Sequence, residues 1–104
     1  MKKILFLYGI LLFWACSASV FKPVQSDADR GATKFPGLTL AGLQEGRSLY
    51  EASCGNCHEL YKPAFTNEDG WRNIVPVMAE KAKIDDKSEQ LVLQYVVTMS
   101  GATR

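Results

Sequence analysis

Histidine occurs once in these 104 residues, cysteine only three times, and neither sign of charge is in excess. A single histidine excludes any metal site built on a His pair within the chain. Twelve Lys+Arg stand against eleven Asp+Glu, interspersed along the chain for a formal charge of +1. That balance offers no basic stripe, so nucleic acid is excluded as a partner. No run alternates apolar and polar residues as a half-buried strand does, and no segment repeats, so the expected class is all-α. The length allows one small domain. Three cysteines leave one unpaired in any disulfide scheme, and at least one thiol needs a separate explanation.

What is present begins at the N-terminus. Lys2 and Lys3 precede the uncharged apolar run ILFLYGILLFWA, residues 4–15, in the layout of a bacterial export signal. Such a helix spans about 18 Å, short of the roughly 30 Å hydrocarbon core, which favours cleavage over spanning. The run ends in Ala15-Cys16 and resembles the lipobox of bacterial lipoproteins, where the cysteine is lipidated and becomes the mature N-terminus. Phe13 and Trp14 depart from the smaller or aliphatic residues usual there. An uncleaved anchor continuing through residues 16–21 and a plain secretory signal are the alternatives. Each exports the rest of the chain, and the two lysines agree with a positive-inside orientation. The expected location is exported, membrane-anchored and facing a bacterial periplasm, with a signal peptide at 1–15 ending at Cys16.

Residues 16–42 mix Ser, Asp, Pro, Gly and isolated apolar residues without clear periodicity, and read as a flexible tether. Phe35, Leu38, Leu40 and Leu43 either lay its end over an apolar surface or belong to a disordered stalk. From residue 43 the pattern becomes helical. A first helix is expected over 44–53. Thr66 with Asp69 three residues on has capping-box spacing, and Trp71, Ile74, Val75, Met78, Ala79 and Ala82 share one helical face. Pro76 inside that segment predicts a kink or a split. A further helix starts near Asp85 or Asp86, buries Leu91, Val92, Tyr95, Val96 and Met99, and stops at Gly101. The domain at 43–104 has about sixty residues, too few to offset chain entropy comfortably without a staple.

Cys54-Gly-Asn-Cys57-His58 supplies one. C-x-x-C-H is the attachment signature of c-type haem. The two thiols add to the vinyl groups as thioethers, and the two-residue gap matches the separation of those groups along a helical turn. His58 follows at once because its ring must reach the iron from the face that the cysteines anchor, as proximal ligand. A redox dithiol would sit on a βαβ pattern, which is missing, and a zinc site would need two more ligands where only Cys16 is left. The cofactor is therefore one covalent haem c, held by Cys54 and Cys57.

With these residues in place, the chain resembles the class I cytochrome c fold over about residues 43–101. Gly46 and Tyr50 match the family's glycine and aromatic on the N-terminal helix, the aromatic four residues before the first haem cysteine. Residues 91–96 resemble the C-terminal helix, whose aromatic, here Tyr95, crosses that glycine. The resemblance implies three to four helices wrapped around the haem, with Gly46, Tyr50 and Tyr95 as packing residues. It also implies a methionine as second axial ligand. Met1 lies in the signal, leaving Met78 and Met99; Met78, seven residues after Trp71 as in short cytochrome c domains, is preferred. Trp71 donates its indole N–H to a haem propionate or is plain core. Pro63 offers a carbonyl to the second nitrogen of His58 or is a loop proline. Lys62, Lys81, Lys83 and Lys87 form either a docking patch or a solvated helix junction.

The expected function is electron transfer by a membrane-tethered monohaem cytochrome that passes single electrons between redox proteins, such as a respiratory reductase or oxidase. Nothing in the sequence resembles a general base, a nucleophile or a small-molecule substrate site, so no enzyme is expected. The alternatives are a haem-based sensor or peroxidase-like protein with an open sixth site, or a cytochrome subunit of a larger respiratory complex.

Overall fold

The structure, a computed structural model, describes residues 22–54 and 60–102. The expected export segment with Cys16, and Cys57 and His58 of the expected attachment motif, lie outside the described residues. Among those described there are four α-helices, one 3₁₀ turn and no strand: α1 (Gln25–Gly31), α2 (Leu40–Cys54), the turn (Pro63–Phe65), α3 (Glu68–Ala82) and α4 (Asp86–Ser100). The all-α expectation holds.

α4 is the central element. Its apolar face buries Val92, Tyr95, Val96 and Met99, and α2, α3 and α1 all pack on it. The tightest approach is to α2. A Cβ on Gly46 would overlap the Leu91 carbonyl oxygen and lie 2.9 Å from the Tyr95 Cβ, so only glycine lets the two backbones come this close. The crossing expected from Gly46 and Tyr95 is therefore present.

The helix ends follow local chemistry. α2 begins earlier than residue 44 because the Thr39 hydroxyl accepts the Gly42 backbone N–H at 3.0 Å. α3 is capped by Asn67, whose side chain accepts from the Gly70 N–H at 3.0 Å, rather than by Thr66. It runs through Pro76 without the expected split. Pro76 and Arg72, whose carbonyl loses its partner, both lie on the exposed face, where water can serve that oxygen. α3 ends in a left-handed residue, Lys83 at φ 58°, and the Ile84 N–H returns to the Ala79 carbonyl at 3.2 Å. This closes a Schellman-type cap that points Ile84 inward. Asp85 caps α4 by accepting from the Ser88 N–H at 2.8 Å.

The stretch read as a flexible tether is folded from residue 22 on. α1 buries Asp27 and Ala28, and the Asp27 carboxylate accepts from the Val24 N–H at 2.8 Å and pairs with Arg30 at 3.1 Å. Arg30 in turn donates to the Thr98 carbonyl of α4 at 2.6 Å. Gly31 sits where a Cβ would meet both Leu38 and Thr98. The helix carries no sequence signal of the usual kind because its one buried polar anchor, Asp27, breaks the apolar periodicity. Phe35, Leu38 and Leu40 pack against the core and Leu43 is fully buried, so the docking alternative is the one realised. Lys34 pairs with Glu68, and Arg72 lies over the Phe35 ring at 5.6 Å.

Candidate functional site

An apolar cavity of about 200 Å³ opens between the helices, and no α1 residue lines it. α2 contributes Tyr50 and, at its last residue, Cys54; α3 contributes Trp71, Ile74, Val75 and Met78; Ile84 and Val92 close the back. Tyr61 and Phe65 border it and stack on each other at 4.6 Å between centroids. Among the sequence-derived site residues that are described, Cys54 and Met78 therefore share one cavity. Met99 is 2 % exposed inside the core on α4 and does not line it. Among the described residues no group of three His, Cys, Asp or Glu could hold a bare metal ion, and no helix is long and apolar enough to cross a membrane.

Tyr50 and Trp71 line the inner wall, and Tyr95 packs against Tyr50. Tyr50 meets Trp71 edge-on at 6.0 Å and Tyr95 at 5.9 Å. Both polar tips of the first pair are used. The Trp71 indole N–H donates to the Pro63 carbonyl at 2.7 Å, a fully buried bond, and the Tyr50 hydroxyl donates to the Tyr61 carbonyl. Burial pushes the Tyr50 phenol far above the usual tyrosine range, and Cys54 and Tyr61 add in the same direction, so it stays protonated and a donor. Burial does the same for Tyr95.

The first of these bonds bears on the two alternatives for Trp71. The Trp71 N–H goes to backbone and not outward to a propionate. The Pro63 carbonyl accepts from Trp71, and the carbonyl before it, Lys62, accepts from the Phe65 N–H at 2.9 Å. Any bond to His58 lies outside the described residues. The Tyr50 hydroxyl was missed as a polar contributor; its signal was a phenol where a phenylalanine would pack equally well. Lys62, Lys81, Lys83 and Lys87 are all exposed, and Lys83 is the helix cap itself.

The cavity fits a flat apolar group attached at Cys54. Phe65 is 59 % exposed and Tyr61 46 %, large rings at its mouth that a planar ligand would cover. The wall carries a thiol, which can attach such a group, and a thioether, a soft donor.

Residues 50–104, more than half of the chain, match the dihaem cytochrome c family. No curated protein and no solved structure matches the chain. The cavity and its thiol thus sit in a c-type cytochrome domain: the chain belongs to the dihaem cytochrome c family. The small all-helical fold agrees with that membership, and the family implies covalently bound haem c and haem-based electron transfer.

Proposed function

We propose that this chain is a membrane-tethered c-type cytochrome whose own motif binds one haem, with His58 and Met78 as axial ligands, and that it passes single electrons between exported redox proteins. The observation that carries this reading is the meeting of Cys54 and Met78, from two different helices, at one apolar cavity. Cys54 and Cys57 would hold the haem covalently. When bound, it supplies an iron that changes between ferric and ferrous states. The chain's residues exclude water from it, through Trp71, Val75 and Val92, and Met78 offers a thioether from α3. A soft axial donor in an apolar site favours the reduced state, hence a comparatively high potential. The N-terminal segment, through a lipid on Cys16 or an uncleaved anchor, would keep the domain at the membrane at high local concentration. The partners fitting this role are respiratory reductases or oxidases, with neither nucleic acid nor a small-molecule substrate required.

The oxidised spectrum tests it. Low-spin iron with a thioether-to-iron charge-transfer band, lost in Met78→Ala, is the expected result. High-spin iron that readily takes carbon monoxide would favour the sensor or peroxidase-like alternative, and an unchanged Met78→Ala spectrum would exclude Met78 as the ligand.

The family's description, two haems, favours a second reading. Residues 50–104 contain one C-x-x-C-H, so a two-haem unit would need a second motif outside this segment, as in a subunit of a larger complex. Haem-to-protein stoichiometry of the assembly recovered from solubilised membranes separates the two readings.

A further inference from the structure

Residues 61–65 carry the two large rings at the mouth of the cavity. Tyr61 and Phe65 stack at 4.6 Å between centroids with 26° between their planes, both line the cavity, and both are substantially exposed. The backbone beneath them forms a single 3₁₀ turn, over Pro63–Phe65. Three successive carbonyls are nevertheless engaged. That of Tyr61 accepts from the Tyr50 hydroxyl on α2, that of Lys62 from the Phe65 N–H at 2.9 Å, and that of Pro63 from the Trp71 indole on α3 at 2.7 Å. Pro63 is fully buried and its ring fixes φ. Tyr50 and Trp71 also line the cavity and meet edge-on at 6.0 Å, so the groups that hold the mouth are part of the wall.

We propose that Tyr50 and Trp71 are positioning residues for the cavity mouth: through the carbonyls of Tyr61 and Pro63 they keep the Tyr61–Phe65 ring pair at its edge, and so limit how much water reaches a group bound inside. The inference rests on the haem reading of the cavity at Cys54. Packing alone does not require the Tyr50 hydroxyl, since phenylalanine would fill the same space. Without that hydroxyl, the Tyr61 carbonyl loses a donor beside an apolar wall and takes water in its place. The Trp71 N–H, fully buried, would likewise be costly without the Pro63 carbonyl. Water at the mouth raises the local dielectric, which favours the more highly charged ferric haem and lowers the potential. Each residue acts through the segment that it holds.

The test uses the exported, haem-loaded protein with its Tyr50→Phe, Trp71→Phe and Asp27→Ala variants. Midpoint potential, hydrogen exchange of the Phe65 backbone amide and thermal unfolding are measured on each. Tyr50→Phe and Trp71→Phe are expected to lower the potential and to speed the Phe65 exchange about fivefold, the factor that one lost hydrogen bond gives. Asp27→Ala, on a helix that lends no residue to the cavity, is expected to lower Tm and leave the potential where it is. Tyr50→Phe keeps the ring and its packing, so it decides the matter if Trp71→Phe does not fold. An unchanged or raised potential in Tyr50→Phe, at whatever Tm, would overturn this proposal alone, and so would an equal fall in Asp27→Ala. A parent without covalent haem would overturn the haem reading and this proposal with it.

Discussion

The two sides of α4 are built differently. Toward α1 and the first half of α2, Leu43, Tyr95 and Val96 are fully buried and Gly46 permits backbone-to-backbone contact. Toward α3 and the 3₁₀ turn, the same helix faces a cavity, and Phe65 and Tyr61 stand at its edge substantially exposed. A domain of this size has little apolar surface to spare. Leaving large rings uncovered on one side makes sense when a bound group completes that half of the core. One side of α4 is a protein interior, and the other opens on an apolar cavity; on the reading proposed above, that side is a mould.

The filled side is most vulnerable at Gly46. Gly46→Ala places a methyl against the Leu91 backbone, which cannot yield as a side chain would, and should cost about 3 kcal/mol or prevent folding. Thermal unfolding of the haem-loaded protein reads this directly. Asp27→Ala should come next, at about 2 kcal/mol, because it leaves the Val24 N–H and Arg30 without their buried acceptor. Its denaturant midpoint should fall with no change in the haem spectrum, since α1 lies on the filled side.

On the mould side, Phe65→Ser in the haem-loaded protein should cost about 1.5 kcal/mol, the value of a covered ring, and not the roughly ±0.5 kcal/mol of a surface change. A neutral Phe65→Ser would mean that nothing covers that edge. Lys83→Gly should stabilise by roughly 0.5 kcal/mol, because glycine adopts the left-handed cap without a Cβ penalty.

The smallest effect is with pH. The backbone and side-chain hydrogen bonds of Ser88 hold the Asp85 carboxyl below the usual range, and those from Lys34 and then Arg72 do the same for Glu68. A carboxyl lowered on folding stabilises the protein above its unfolded pKa, near about 4, and that contribution disappears as pH falls through the lower folded value. Both groups are solvent-exposed, so the effect should be slight and weaken with salt. An Asp85→Asn variant should show a flatter loss of stability between about pH 5 and 2 than the parent.

The legible parts of the sequence were those where one residue type has one physical meaning. Gly46 opposite Tyr95 foretold the α2–α4 crossing, and the face from Trp71 to Ala82 foretold α3. Met78 was placed on the cavity side by its spacing from Trp71. α1 was not legible, because a short helix anchored by a buried carboxylate has no apolar stripe, and its partner carbonyl on Thr98 lies 68 residues from Arg30. The start of α2 at Thr39 was within reach, through a threonine three residues before Gly42. The destinations of the Trp71 and Tyr50 donors could not be read, since backbone carbonyls carry no sequence signal.

If the cavity at Cys54 is moulded for a covalently held haem, the mass of the mature protein must say so. Mass spectrometry of the protein purified from a host that exports and matures c-type cytochromes is the sharpest check. The expected result is a peptide containing Cys54 and Cys57 heavier by one haem, bound through both sulfurs, with no free thiol at either position. A peptide of unmodified mass with both thiols free to alkylate, in a protein that is nonetheless folded, would refute the haem assignment.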